Sequence, residues 1–185
     1  GLLPFLSILP VTTPTPPDFH EEQRFRQPWI WLLIFGIAAL QWWGWVQQIW
    51  LGQPFGDNPA PDWMMWLFWA IFGIGFPLFF RALRLVIDVG TDGIKLRYWP
   101  LTQRHISFEQ IAHCQVEQDY HPLTRYGGWG IRGVGKDRAY SVSGKQGVRL
   151  TLHNGDRLVI GTPRAGELAL AVEAHLPPEA RRILQ

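Results

Sequence analysis

The sequence predicts an α+β membrane protein, in which a two-helix transmembrane hairpin precedes a small β-barrel or sandwich capped by a C-terminal α-helix. Three observations support this prediction. Residues 29–51 and 63–80 contain no charged side chain. Apolar and polar residues alternate from residue 83 onward, which is typical of half-buried strands. The last apolar residues recur at helical spacing between Pro163 and His175.

The two uncharged stretches have the length and composition of membrane helices. The first spans 23 residues, and about 20 helical residues cross a hydrocarbon core. The second reaches residue 82 if it includes the turn that follows, and Pro77 is expected to kink it. Gly73 and Gly75 are the candidate positions for close helix packing. Two buried core helices of a soluble protein are the alternative, but the remaining chain is too short to bury them.

Charge placement predicts the topology of this hairpin. The connection, residues 52–62, carries Asp57 and Asp62 and no Lys or Arg. The cations flanking the two helices are Arg24, Arg26, Arg81 and Arg84. Because positively charged loops stay in the cytoplasm, we expect both termini on the cytoplasmic side of a multi-pass protein.

The segment before the first helix divides into two parts. Residues 1–18 form a Pro-rich apolar arm, which is either a disordered tail or an arm lying along the membrane or a partner. Residues 19–28 are interpreted as an interfacial lead-in, since Phe19, Phe25 and Trp29 alternate with charged side chains.

The soluble part begins at residue 83 and reads as about seven short strands and one helix. Residues 83–89 and 94–100 form a predicted hairpin, and residues 148–161 form another through Asn154-Gly155. Shorter strands are expected at 106–108 and 111–116. The expected buried face of the first hairpin comprises Leu85, Ile87, Val89, Ile94, Leu96 and Tyr98. The final helix, capped by Thr162, is expected to bury Leu168, Leu170, Ala171, Val172 and the following Leu176.

These elements resemble the bacterial pleckstrin-homology-like (PH-like) domains, by the strand order, the terminal hairpin with Gly155 and the run Ile160-Gly161-Thr162-Pro163 before the last helix. Together with the helix hairpin and residues 126–132, the chain is similar to a family of small bacterial membrane proteins of unknown function. The resemblance covers residues 19 to about 176. It implies a cytoplasmic PH-like domain at 83–176, a tail at 177–185, and a bacterial cytoplasmic, intracytoplasmic or thylakoid membrane.

The stretch Tyr126–Gly135, YGGWGIRGVG, contains the spacing G-x-G-x-x-G of phosphate-binding loops. A dinucleotide site needs a strand before these glycines and a helix after them, and neither is predicted. We therefore interpret the stretch as a long, bent loop. Its candidate contact surface comprises Tyr126, Trp129 and Arg132, with a cationic rim of Arg125, Arg132, Lys136 and Arg138. The alternative is that Tyr126 and Trp129 pack on their own barrel.

No catalytic or metal-binding pattern stands out. The single cysteine, Cys114, excludes an internal disulfide. Its neighbour His113 points to the opposite face of the strand and cannot act as its base, so we expect Cys114 to be packed in the core. We predict no catalytic residue, metal or cofactor, although lipids or pigments could contact the Trp-rich hairpin. Residues 81–185 hold 15 Lys and Arg against 10 Asp and Glu, which favours anionic lipid headgroups as partners. A nucleic-acid partner is not expected, since no recognition motif is present.

Two non-enzymatic functions follow from these observations. The first is an accessory or assembly subunit of a larger bacterial membrane complex, respiratory or photosynthetic, with other membrane subunits as partners. The second is a freestanding membrane-anchored module that binds lipid or peptide through the PH-like domain. An enzyme is the least favoured reading, because the fold alone does not imply a reaction and no site is evident.

Overall fold

The computed structural model describes residues 18–118 and 129–180, which form a mixed α+β protein with two long apolar helices and two open sheets. The helices are α1 (Pro28–Trp50), α2 (Asp62–Ala82) and α3 (Ala165–Glu173). The strands are β1 (Phe19–Arg24), β2 (Arg84–Val89), β3 (Gly93–Trp99), β4 (Thr102–Ser107), β5 (Ile111–Glu117), β6 (Gly130–Val134), β7 (Asp137–Ser141), β8 (Gly147–Leu152) and β9 (Arg157–Gly161).

Helices α1 and α2 pack against each other as a hairpin. Both are long and apolar enough to cross a membrane, and their ends lie within one residue of the predicted ones. Four tryptophans interlock between them, with the rings of Trp45 and Trp69 stacked at 5.0 Å and those of Trp42 and Trp69 edge-on at 5.1 Å. Such aromatic pairs stabilise a fold beyond the contribution of the surface area that they bury.

A π-helical stretch, Trp69–Gly75, interrupts α2 just before the predicted kink at Pro77. Pro77 has no N–H to donate to the carbonyl of Gly73, four residues earlier. The indole N–H of Trp42 on α1 donates to that carbonyl instead, at 3.2 Å. A Cβ on Gly73 would come within 3.4 Å of the same indole nitrogen, so the missing side chain permits this approach. Gly75 has only the backbone of its own helix within 4 Å.

The first sheet is an antiparallel meander in the order β1-β2-β3-β4. All six predicted core positions of the β2–β3 hairpin are at most 2% exposed, so that prediction is confirmed. Residues 19–24 were interpreted as part of an interfacial lead-in to the first helix. They form strand β1 instead and pair with β2 along their whole length. Their inward side is Phe19, Glu21 and Gln23, and the two polar members are bonded within the fold.

The second sheet has the order β5-β8-β9-β7-β6, with β7 parallel to β9 and every other pair antiparallel. The Asn154-Gly155 hairpin joins β8 to β9 as predicted. The loop expected at the glycine-rich stretch is wrong for residues 130–134, which form the edge strand β6. There, Gly133 adopts φ +106°, and a Cβ on it would lie 2.1 Å from the carbonyl oxygen of Asp137 on β7. Only glycine allows this close pairing.

Helix α3 closes one side of the space between the sheets, where it contacts β5 and β8 of one sheet and β1 and β2 of the other. Leu168 and Val172 are fully buried, and so is Cys114 on β5. Leu170 is 60% exposed, so the predicted buried face was wrong at that position. The helix begins at Ala165, two residues later than predicted. Its buried residues Ala165, Leu168, Ala169 and Val172 recur at spacings of three and four, which places Leu170 on the opposite side.

The hairpin is inserted between two paired strands. Three residues join β1 to α1, and Leu83 alone joins α2 to β2. Because Arg24 and Arg84 are paired across the sheet, both helices leave the β-domain at the same place. The side chain of Gln27 fixes this junction by donating to the carbonyl of Val142 at 2.7 Å. Residues of β4 in the first sheet and of β7 and β9 in the second line a further opening, and no described residue of α3 lines it.

Candidate functional site

A groove of about 410 Å³ lies where the helix hairpin meets the β-domain. We call it the junction groove. Its floor and walls are supplied by four segments that are distant in the chain. The lining side chains are Phe25, Trp29, Ile30, Leu33, Ile34, Ile37, Phe76, Phe80, Leu83, Tyr98, Leu101, Trp129, Ile131 and Arg132, together with Gly130. Small-molecule sites commonly have this size and this predominance of apolar groups.

Aromatic contacts join the helix hairpin to the β-domain around the junction groove. Trp129, just before β6, lies against Trp29 at the start of α1, with ring centroids 6.2 Å apart. Phe25 packs edge-on against Phe80 of α2 at 6.0 Å. The indole N–H of Trp31 donates to the carbonyl of Phe25 at 2.9 Å, which fixes the first turn of α1. The junction groove is therefore built by contacts between the hairpin and the domain.

Among the described residues that line the junction groove, Arg132 is the only charged one. Its Nε donates to the carbonyl of Trp129 at 3.1 Å, and this bond orients the guanidinium. Its terminal nitrogens make no hydrogen bond or ion pair with any residue that the structure describes. An arginine held in this way presents a fork of donors suited to a carboxylate or phosphate.

The phenol of Tyr98 also lines the groove, and the charge of Arg132 acts on it. Its hydroxyl donates to the carbonyl of Ser141 at 3.1 Å and so joins the two sheets. Burial raises the pKa of the Tyr98 phenol well above its ordinary value, and the charge of Arg132 acts in the opposite direction. The phenol is therefore neutral at physiological pH and does not neutralise the arginine.

The predicted contact surface is divided by the structure. Tyr126 and Arg125 lie outside the described residues. Trp129 and Arg132 line the junction groove, whereas Lys136 and Arg138 line a separate polar cleft of about 380 Å³. We call this second space the basic cleft. Its other lining residues are Thr102, Gln103, Arg104, Gly135, Tyr140, Asp156 and Arg157.

Of the predicted helix-packing glycines, Gly73 contacts the facing helix and Gly75 does not. Four lining residues were not predicted from the sequence: Tyr98 and Leu101 in the groove, and Arg104 and Arg157 in the cleft. One signal was available for Arg104: it lies two positions before the buried Ile106 in β4, on the same strand face. Within residues 18–118 and 129–180, no group of three or more His, Cys, Asp or Glu could hold a metal ion.

Fold and site together define a class of small α+β protein in which an apolar helix hairpin is inserted between adjacent strands of a two-sheet domain, with a groove at the junction. The chain belongs to the family of unknown function DUF6141, whose model matches residues 15–176 and so covers the hairpin and both sheets. No curated protein and no solved structure matched the chain.

Proposed function

We propose that this protein is a non-catalytic, membrane-anchored module that holds an anionic lipid in the junction groove. One observation carries the proposal. The groove is apolar along the helices and ends at Arg132, whose terminal nitrogens have no partner among the described residues. An amphiphile with a negative headgroup matches both parts of that lining.

Membrane anchoring is supported by what the hairpin exposes. Only 17% and 11% of the most apolar windows of α1 and α2 are buried. Leu32 and Trp50 are each 76% exposed, and Trp43 and Trp63 are each 64% exposed. Soluble proteins rarely leave such large contiguous apolar surfaces in water, whereas lipid chains solvate them without cost.

The attachment of the hairpin supports the predicted topology. Because β1 and β2 are paired, the chain enters and leaves the membrane on the same side. The cations around that junction, Arg24, Arg26, Arg81 and Arg84, favour the cytoplasmic side. We place the β-domain, and with it both ends of the described chain, on the cytoplasmic face.

A PH-like architecture for the β-domain is part of the proposal. Two sheets share one core, and a C-terminal helix closes one side of it, as that architecture requires. The nine strands and the parallel β7–β9 pair depart from the seven strands expected from sequence. The additional strands are β1 and β6, which are edge strands.

The depth of the junction groove in the membrane favours a lipid over a soluble amphiphile as its occupant. The groove begins at the first turn of α1 and the last turn of α2, where headgroups meet a spanning helix. Trp29 and Trp129 flank it, and tryptophan prefers this interfacial depth. A lipid can therefore enter with its chain along Leu33 and Phe76 and its phosphate at Arg132 without leaving the bilayer.

Native mass spectrometry of the full chain in mild detergent tests this function. Phosphatidylglycerol and phosphatidylcholine are titrated separately against the unchanged chain, Arg132→Gln and Arg81→Gln. We expect phosphatidylglycerol to bind preferentially, and Arg132→Gln to weaken it about tenfold because a charge-assisted bond is lost. Arg81→Gln is the matched control, since Arg81 is an exposed cation at the same end of α2 and lies outside the groove.

Three results would contradict the proposal. Equal binding of the two lipids would remove the role of charge. An equal loss in both variants would indicate general attraction of headgroups to the protein surface. A dimer without bound lipid in the same spectra would indicate that a second copy of the chain covers the groove.

An accessory or assembly subunit of a larger membrane complex is the second candidate function. It is favoured by Trp43, Trp50 and Trp63, which are exposed on the hairpin and line neither the groove nor the cleft. Partner helices could cover these side chains as well as lipid could. Copurification in mild detergent tests this function, and a monomer without a stoichiometric companion would count against it.

A further inference from the structure

The basic cleft is lined by β4 of the first sheet and by β7 and β9 of the second, and no described residue of α3 lines it. It concentrates positive charge from three separate segments. Its cations are Arg104 on β4, Lys136 and Arg138 in the β6–β7 turn and β7, and Arg157 on β9. Asp156 is the only acidic side chain among the described residues that line it, and that carboxylate already accepts a hydrogen bond from the amide of Asn154 at 3.2 Å.

Two of these arginines occupy strand faces that otherwise belong to the core. Arg104 shares a face of β4 with Ile106, and Arg138 shares a face of β7 with Tyr140, both of which are core residues. The four cations line one cleft, in which Arg104 is partly buried and Lys136, Arg138 and Arg157 are exposed. Like charges gathered at one opening disfavour each other, and a bound counter-charge relieves this.

Ion pairing elsewhere in the β-domain sharpens this contrast. Five other arginines each have an acidic partner: Arg24, Arg84, Arg97, Arg149 and Arg164. Across the part of the chain that the structure describes, none of the four cleft cations makes an ion pair. Among the described residues, the cleft therefore gathers four cations that have no acidic partner within 4.0 Å.

We propose that the basic cleft binds a compact anion carrying more than one phosphate group. The volume of about 380 Å³ is that of a small-molecule site, and arginine forks match phosphate oxygens. Four cations against one engaged carboxylate exceed the charge of a single phosphate. The phosphates belong either to a free oligophosphate or to a lipid headgroup, and both present the same chemistry to the cleft.

This site is independent of the junction groove, with which it shares no lining residue. It also has a competing structural explanation. Strands β4 and β6 are the edges of their sheets, and charges at edges prevent other strands from pairing there. That explanation requires no ligand, so a binding measurement separates the two.

Isothermal titration of the full chain in nanodiscs of phosphatidylcholine, with tripolyphosphate as the probe, tests the proposal. We expect saturable binding that Arg104→Gln and Arg138→Gln each weaken about tenfold, as expected for a lost charge-assisted bond. Lys95→Gln is the matched control, because Lys95 is an exposed cation on β3 that lies outside the cleft. We expect it to change the affinity less than about twofold, as a distant exposed charge does.

Absence of binding would overturn the proposal, and so would an equal loss in all three variants. It would also be overturned if both arginine variants bound normally and Arg104→Gln aggregated, since the Arg104 charge would then serve only to protect the β4 edge. Repeating the titration in nanodiscs with phosphatidylinositol 4-phosphate identifies the source. If the affinity for tripolyphosphate is unchanged, the cleft binds a free oligophosphate. If the lipid competes with tripolyphosphate and Arg104→Gln relieves that competition, the cleft binds a lipid headgroup.

Discussion

Replacing Thr162 by valine should destabilise the protein by breaking the network that ties β1 to the rest of the β-domain. Thr162 is 1% exposed, and its hydroxyl donates to Oε1 of Glu21 at 2.7 Å. The same hydroxyl accepts the backbone N–H of Arg164 at 3.0 Å. Gln23 completes the network, since its amide donates to Glu21 at 2.6 Å and to the carbonyl of Gly161 at 2.8 Å.

The expected cost follows from what valine leaves unpaired. Oε2 of Glu21 is buried without a hydrogen bond, and the nearest cation, Nε of Arg164, is 4.0 Å away. Thr162→Val therefore removes one of the two donors to Oε1 at a buried carboxylate. A hydrogen bond to such a group contributes about 1.5–3 kcal/mol, and we expect a loss of about 2 kcal/mol.

Thermal unfolding of the full chain in detergent, followed by circular dichroism, measures this loss. A cost of about 2 kcal/mol corresponds to a fall in Tm of roughly 8–16 °C for a domain of this size. Thr151→Val is the control, because Thr151 on β8 is half-exposed and should change stability by less than about 0.5 kcal/mol. Equal Tm values for the two variants would refute the reasoning, since the network would then contribute nothing.

Three further predictions concern other contacts. Trp42→Phe should lower resistance to SDS-induced unfolding by about 1 kcal/mol, because the carbonyl of Gly73 loses the donor that replaces the proline N–H. The free energy of unfolding should fall above about pH 10, because burial raises the pKa of Tyr98 and its phenol therefore ionises first in the unfolded chain. Tyr98→Phe should reduce that fall in alkaline denaturation curves. Gly133→Ala should speed hydrogen exchange in β6 and β7, because a residue with a side chain at this positive φ costs about 1–3 kcal/mol. An unchanged value in any of the three measurements would contradict the contact that it tests.

Elements with strong periodicity were predictable from sequence. The β2–β3 hairpin alternates apolar and polar residues except at Val86, and its core side matches the structure. Asn154-Gly155 marks the β8–β9 turn, because this dipeptide adopts the backbone of a tight hairpin. Both elements depend on local sequence, and local sequence was sufficient for them.

Strands β1 and β6 were not predictable in the same way. In β1, Glu21 and Gln23 take inward positions where the pattern expects apolar residues, and hydrogen bonds to Gly161 and Thr162, distant in the chain, make their burial tolerable. In β6, glycine at positions 130 and 133 favours a loop locally, and pairing with β7 overrides that preference. Tertiary contacts decide both cases.

The candidate site was predicted in part. Trp129 and Arg132 were singled out as a contact surface, and the structure brings them to a groove with Trp29 and Tyr98. Nothing in the sequence joins these segments, because the groove exists only once α1 and α2 are inserted between β1 and β2. Lys136 and Arg138, which appeared to belong to the same rim, lie in a different cleft.

Photolabelling tests the central claim most directly, since it locates the bound lipid on the full chain. Phosphatidylglycerol and phosphatidylcholine, each with a diazirine on one acyl chain, are incorporated into nanodiscs and crosslinked, and the labelled residues are mapped by mass spectrometry. We predict that phosphatidylglycerol labels the groove side of the hairpin, at Ile30, Leu33, Phe76 and Phe80, more strongly than phosphatidylcholine does, and that Arg132→Gln abolishes the difference. Equal labelling by both lipids, spread evenly to Trp43 and Trp50 on the rest of the hairpin, would contradict a lipid site in the junction groove.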